Sequence, residues 1–363
     1  MMPKGSFIPQ YKKIYNDLKR QIIEEQYTIG EQLPCERELC NIYSVERITV
    51  RKALSLLEEE GLIQKHPGIG SFVGNVHEIN MLNKDSKTIL FLMQKSMNDI
   101  QSNSTAFNAQ LFFPMEQVCR DNGYSLLYLG YNVGDNIIEF IQRYQIAGVF
   151  LVSTLPEDAF AQVIKTKIPA ICINHIHEKF LSIMPDNAKG IKIAMEYLIS
   201  CGHRKIAFLG GSIGATNAEE RKESYILSGY TNELQNRYSR VMQGRWTYDS
   251  GVQAMKQLLE EESPENYPTA VIAASDMMAI GCMDAIRAAG LKVPENISVV
   301  GFDDIDMSRF CTPALTTIKT DSVTMARVAV EHMLAHLNGN TQFDVYTLRL
   351  PINLSVRNSV KTI

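Results

Sequence analysis

Short apolar runs recur along most of the chain, with stretches of helical period between them. The runs are TILFLM from Thr88, SLLYL from Ser125, GVFLV from Gly148, AICI from Ala170, KIAFL from Lys205, AVIA from Ala270 and ISVV from Ile297. Helical periods occupy 107–121, 188–200, 249–261 and 277–289. Continuous apolar runs without polar alternation are the mark of strands covered on both faces, and crossover helices between them imply a parallel sheet. The number of runs suits two doubly wound α/β lobes rather than one.

The first 75 residues follow a different rhythm. Tyr11 to Tyr27 reads as an amphipathic helix, with Ile14, Leu18 and Ile22 inward and Lys12, Lys13, Lys19 and Arg20 outward. A second helix is expected over Glu36 to Tyr43, with Pro34 before it and Ser44 in the turn after it. A third is expected over Arg47 to Glu60. Its Val50, Ala53, Leu54 and Leu57 fall at i, i+3, i+4 and i+7 and form one buried stripe. Gly61 would end that helix, since glycine tolerates positive φ. A hairpin from Leu62–Ile63 would then turn at Pro67–Gly68–Ile69–Gly70, with Lys65 and His66 beside the tip. Together these elements describe a winged helix-turn-helix, which lays the start of its third helix in the DNA major groove. Residues 76–87 are polar and aperiodic and read as a linker.

Charge refines this picture. The net charge is −4, so bulk charge does not draw the chain to DNA. Residues 1–75 hold ten Lys and Arg against ten Asp and Glu. Any phosphate contact must rest on basic groups segregated to one face. Seven widely spaced cysteines without a CxxC suit reduced thiols and no structural zinc. The amino end lacks a secretory apolar region, and no run approaches the ~18 apolar residues of a membrane span. A cytoplasmic protein with neither metal nor cofactor is expected.

Specific residues sharpen the reading. Leu33–Pro34, Glu36–Arg37–Glu38–Leu39, Thr49–Val50–Arg51–Lys52–Ala53–Leu54, Glu60–Gly61–Leu62–Ile63 and Gly68–Ile69–Gly70–Ser71–Phe72–Val73 resemble, in order and spacing, the GntR family of bacterial regulators. The resemblance implies DNA contacts from Arg37, Arg47, Thr49, Arg51 and Lys52, with His66, Gly68 and Gly70 of the wing. Two positions depart from the family. Cys35 stands where a serine usually caps the support helix, and Glu46 replaces the serine of a Ser–Arg pair. A carboxylate there suits a helix start but repels phosphate.

The later part carries Asp186–Asn187 with Gly190, Gly202–His203–Arg204–Lys205–Ile206, Ser275–Asp276–Met277–Met278–Ala279–Ile280–Gly281, Val299–Val300–Gly301–Phe302–Asp303–Asp304 and Pro313–Ala314–Leu315–Thr316–Thr317–Ile318. This set resembles the effector domain of the LacI/GalR family, which shares its fold with periplasmic sugar-binding proteins. The resemblance implies a two-lobed domain over 88–363. Lobe one would hold about 88–186 and 321–346, and lobe two about 187–320 and 347–363. It also implies ligand contacts from Asn174, Trp246, Ser275, Asp303 and Thr320. An arginine usually stands three residues before the glycine at 229; here that residue is Ile226, and Arg221 is the candidate substitute, with a solvated Arg221 the alternative. Asp276 is expected to cap the following helix and Asp304 to form a turn. The pairing of modules resembles the arabinose-repressor subfamily. It implies a homodimer binding operator DNA as a repressor, with L-arabinose or a related monosaccharide as effector and a nucleobase as the alternative.

One enzymatic reading competes. Gly210–Gly211–Ser212–Ile213–Gly214 fits G-x-S-x-G after a strand, the nucleophile elbow of hydrolases. That geometry needs a helix directly after Ser212, and Gly214–Ala215–Thr216–Asn217 delays it. His332 and His336 stand i,i+4 on a helical face rather than on a loop. A non-enzymatic regulator is the favoured expectation.

Overall fold

The computed structural model describes residues 9–23, 26–28, 30–59, 62–66, 69–74, 86–95, 103–232, 239–240, 246–339 and 344–363. The chain divides into two compact units, Met1–Ser86 and Lys87–Ile363.

The first unit is built on α1 (Gln10–Ile23), α2 (Glu36–Tyr43) and α3 (Arg47–Glu59), followed by the strands β1 (Ile63–His66) and β2 (Gly70–Val73). Ile14, Leu18 and Ile22 of α1 close on Leu39, Val50, Ala53, Leu54 and Leu57, with Leu62, Ile63 and Val73 beneath. Each such side chain, taken fully out of water, contributes about 1.5–3 kcal/mol. The poor cap expected of Cys35 is offset locally: the Glu38 carboxylate accepts the Cys35 N–H at 2.7 Å. Ser44 ends α2 in a left-handed conformation, φ 51°. β1 and β2 pair antiparallel, His66 opposite Gly70. Two expectations fail here: the first helix, expected to reach Tyr27, ends at Ile23, and Lys19 does not face outward. Lys19 is buried; its Nζ donates to the Tyr15 hydroxyl at 2.9 Å and lies over the Tyr15 ring. A long aliphatic stem at the margin of the stripe covers apolar surface while its head finds a polar partner. Gly61, Pro67, Gly68 and most of the expected linker, residues 76–85, lie outside the described residues.

The second unit contains two six-stranded sheets. The first holds β3 (Thr88–Gln94), β4 (Ser125–Tyr131), β5 (Ile146–Val152), β6 (Ala170–Ile173), β7 (Leu181–Pro185) and β13 (Thr347–Leu350). Its spatial order is β13-β7-β6-β5-β3-β4, and every pairing is parallel. The second holds β8 (Ile206–Leu209), β9 (Ser239–Arg240), β10 (Ala270–Ala273), β11 (Ser298–Asp303), β12 (Thr316–Thr320) and β14 (Ile352–Ser355). Its order is β14-β12-β11-β10-β8-β9, parallel except for the antiparallel β12–β14 pair. Between strands run α4 (Asn103–Asp121), α5 (Ile137–Arg143), α6 (Glu157–Thr166), α7 (Asn187–Ser200), α8 (Thr216–Thr231), α9 (Tyr248–Glu261), α10 (Asp276–Ala288), the short α11 (Met307–Phe310) and α12 (Ser322–Leu337).

Both sheets run through the same turn of order, at β3/β5 in one and β8/β10 in the other. Doubly wound sheets bind ligands at the carboxyl ends of their strands beside such a switch. The chain passes between lobes at Asp186, Asp321 and Pro351. Asp186 and Asp321 each cap the helix they open, accepting from Lys189 N and Thr324 N. The return to lobe two therefore falls at Pro351, not at 347. β13 belongs to lobe one because its backbone pairs with β7.

Candidate functional site

The DNA-binding candidates lie in the first unit. Arg47 and Arg51, one turn apart on α3, keep side chains 66% and 60% exposed. Both reach back to one carboxylate on α2: Arg47 Nε lies 2.5 Å and Arg51 Nε 3.0 Å from Glu36. Burial would raise the Glu36 carboxyl, but the two guanidiniums outweigh it and hold the group below the usual carboxylate range. The sequence offered no sign of this clamp, because residues 36, 47 and 51 meet only when α2 packs on α3. Lys52 is exposed and stands 4.2 Å over the Tyr11 ring. Thr49 is half-buried, its N–H bonded to Glu46 O. Arg37 is exposed. On the wing His66 meets Phe72 edge to face at 5.3 Å. Gly70 has φ +146°, and a Cβ there would strike the Gln32 side chain, which itself donates to Ile69 O at 2.9 Å. Gly68 lies outside the described residues. Lys65 pairs with Glu58 at 2.6 Å and donates to the Ser55 hydroxyl at 3.1 Å. Arg51→Ala is expected to weaken operator binding and to lower the slope of log affinity against log salt by about 1. A titration across salt concentrations checks this; an unchanged slope removes Arg51 from the phosphate contacts.

The second unit holds a cavity of about 580 Å³ between its lobes. Lobe one supplies Met93 and Gln94 at the end of β3, Lys95 after it, Ser153 and Thr154 after β5, Asn174 after β6, and Phe107 and Asn108 of α4. Lobe two supplies the Ser212–Ala215 loop, Asn217, Arg221, Trp246 and Asp303.

Arg221 anchors the lobe-two wall. Only 2% of it is exposed, so the solvated alternative fails. Its Nε donates to Asn187 Oδ1 at 2.8 Å and its Nη1 to Ala274 O at 2.5 Å, while Nη2 stands 3.5 Å from Asp303. The guanidinium lies 3.5 Å over the Phe302 ring. Burial pulls its pKa down from the ordinary arginine value, and the Asp303 and Glu220 carboxylates oppose that pull. Asn187 donates onward to Glu220, which pairs with Arg349 of the lobe-one sheet. The buried guanidinium is thereby linked to an ion pair that bridges the lobes.

Asp303 ends β11 with φ 114°, a conformation a non-glycine residue holds only when its surroundings enforce it. Thr320 supplies part of that enforcement by donating to Asp303 O at 3.0 Å. Thr320 itself is buried and does not line the cavity, contrary to the sequence expectation. Ser275 is likewise absent from the wall; it is fully buried and caps α10 by accepting from Met278 N. Asp276 is therefore not the cap. It accepts from the Thr317 hydroxyl and Ile305 N, and burial, with Asp303 nearby, pushes its carboxyl well above the usual range. Asp304 is more than a turn former: its buried carboxylate pairs with Arg357 at 2.5 Å and takes Ser308 and Ser355 hydroxyls.

Trp246, the only tryptophan, lines the cavity with its ring seated on Gly211, where a Cβ would collide with it. Asn174 lines it too, in a left-handed conformation, and its buried Oδ1 accepts from no described residue. Sequence reasoning missed Asn108 and Ser153, whose side chains meet at 3.4 Å in the wall. Both lie in segments whose apolar neighbours dominate the pattern. α8 starts at Thr216, so Ser212 does not sit on the direct strand-to-helix turn of a nucleophile elbow.

Comparison with known proteins fits this geometry. Residues 10–73 match the bacterial regulatory proteins of the gntR family, and residues 195–360 match the periplasmic binding protein-like domain. The chain is 30% identical over 280 residues to the HTH-type transcriptional repressor PurR of Haemophilus influenzae (strain PittEE), an alignment covering 74% of this chain and 82% of that protein. The chain belongs to the LacI family of transcriptional repressors, with a GntR-type DNA-binding module at its amino end. The repressor is 26% identical to the arabinose metabolism transcriptional repressor of Geobacillus stearothermophilus, across 99% of this chain and 100% of that one. It is 38% identical over 176 residues to the probable repressor ExuR of Bacillus subtilis (strain 168), covering 47% of this chain and 52% of the relative. Among solved structures, the lac repressor dimer bound to operator and the anti-inducer ONPF superposes with a TM-score of 0.65 at 25% identity, over 80% of this chain and 99% of that chain. The repressor is a DNA-binding regulator with a small-molecule effector and not an enzyme. No helix among the described residues is long and apolar enough to cross a membrane.

Proposed function

We propose that this repressor leaves its operator when a monosaccharide, arabinose or a close relative, fills the cavity between its lobes. The observation that carries the proposal is the composition of the wall. An aromatic ring, Trp246, and a polar set built around Asp303, Arg221 and Asn174 line the same space. A sugar needs both, since its C–H face stacks on an aromatic ring and its buried hydroxyls must be paired. The Asn174 Oδ1, an acceptor without a described donor, is suited to a ligand hydroxyl. The whole-length similarity to the arabinose metabolism repressor supports a pentose.

The mechanism is lobe closure about Asp186, Asp321 and Pro351. In a homodimer, closure alters the separation of the two reading helices, which must match half-sites ~34–36 Å apart or a multiple of that spacing. A dimer is supported by the lac repressor structure, solved as one. It is supported also by Phe113, Met307 and Val323, all exposed around a second cleft bounded by α4, α11 and α12. The effector must favour the closed state by the usual allosteric factor of about 5 to 150.

The lone tryptophan makes the test direct. Titrating pentoses, hexoses and nucleobases into the full chain should produce a saturable change in Trp246 emission with one monosaccharide, and that sugar should lower operator affinity. A nucleobase that does both instead overturns the sugar reading. Gly211→Ala, which pushes the indole off its seat, is expected to weaken sugar binding about three- to tenfold; unaltered affinity would take Trp246 out of the stacking role.

A further inference from the structure

Ile48 is the second residue of α3, and 74% of its surface is exposed. Single exposed isoleucines are common and need no explanation by themselves. The placement of this one calls for an account. At about 100° per residue, Arg51, Ile48 and Lys52 share one side of α3, opposite the buried Val50, Ala53, Leu54 and Leu57, with Arg47 at the margin of that side and Ser55 and Glu59 further along it. Ile48 lies in the middle of that outward side, with two guanidiniums to one flank and an ammonium to the other. The surrounding cations fit a polyanion, and the side chain at their centre is apolar and stiff at χ1. Among the base edges of the major groove, the C5-methyl of thymine is the one apolar group large enough to offer a side chain a packing contact.

We infer that Ile48 is a specificity-determining residue that seats against a thymine C5-methyl group in the operator. This rests on the reading that α3 enters the groove with its Arg47–Arg51 side. Ile42 and Ile69, also exposed, lie on α2 and on the wing and take no part. Neither the charge of the module nor a resemblance in its motifs marks Ile48. Its exposure at the centre of a cationic face does.

The test begins by selecting random duplexes with the full chain to obtain an operator. Each thymine is then replaced in turn by deoxyuridine, which keeps the base pair and loses only the methyl. At one or more positions deoxyuridine should weaken wild-type binding about three- to fourfold, the worth of one buried methyl group. Ile48→Ala should show that loss already on the thymine duplex and no further loss on deoxyuridine. Additive losses, or no thymine whose methyl matters, overturn the assignment when Arg51→Ala still weakens binding. If no duplex is enriched, or Arg51→Ala binds like wild type, the orientation of α3 falls and the assignment with it.

Discussion

Asp303→Asn is expected to abolish the response to effector while leaving operator binding in place. Asp303 is the one acid among the described residues of the cavity wall. A carboxylate accepts two hydroxyls by charge-assisted hydrogen bonds, each worth about 1.5–3 kcal/mol, and an amide keeps only one acceptor oxygen without charge. Effector affinity should fall about 100-fold or more, which titration of Trp246 emission measures. Asparagine is the informative replacement because it tolerates positive φ better than most residues and Asp303 sits at φ 114°. The operator-binding unit is untouched, so DNA affinity without effector should match wild type. An unimpaired response would remove Asp303 from the site.

The second large effect is on stability. Arg221→Ala should destabilise the second unit by about 3–5 kcal/mol, since it leaves Asp303 buried without its cation and strips donors from Asn187 and Ala274 O. At about 2–4 °C per kcal/mol for a large domain, the melting transition should drop by roughly 6–20 °C. Arg221→Met combined with Asp303→Asn removes both charges and keeps most of the volume. That double variant should melt above either single one while still failing to bind effector. A melting point for Arg221→Ala within 2 °C of wild type, against the per-kcal scale just given, would show that the buried pair contributes nothing net.

What the sequence made legible follows from how strongly each feature depends on local pattern. α3 was readable because Val50, Ala53, Leu54 and Leu57 repeat at helical period, and all are buried. The central strands were readable because burial on both faces leaves no polar alternation to confuse them. β7, β13 and β14 were not, since they mix Ser, Pro, Arg and Asn with their apolar residues. The assignment of 347–350 to the wrong lobe follows from that. At the site, Asp303, Arg221, Trp246 and Asn174 are brought to one cavity, whereas Ser275 and Thr320 were misplaced. Both sit at the correct strand ends, but one hydroxyl is spent on a helix cap and the other on holding a backbone carbonyl. Such choices are made by neighbours from distant segments. The Glu36 clamp was invisible for the same reason, and Lys19 misled because a charged head says little about where its aliphatic stem lies.

The three crossings between lobes also set a timetable for synthesis. The groove-reading unit is fully translated by the time Val73 has been made. Neither receptor sheet can be finished then, nor for most of the time that follows, because lobe one waits for Thr347–Leu350 and lobe two for Ile352–Ser355. A ribosome-bound chain thus carries a complete DNA-reading head, still without a finished sensor, for most of its elongation. For the same reason neither lobe can be exchanged with a relative's as one continuous piece of gene; a working chimaera needs junctions at Asp186, Asp321 and Pro351 together.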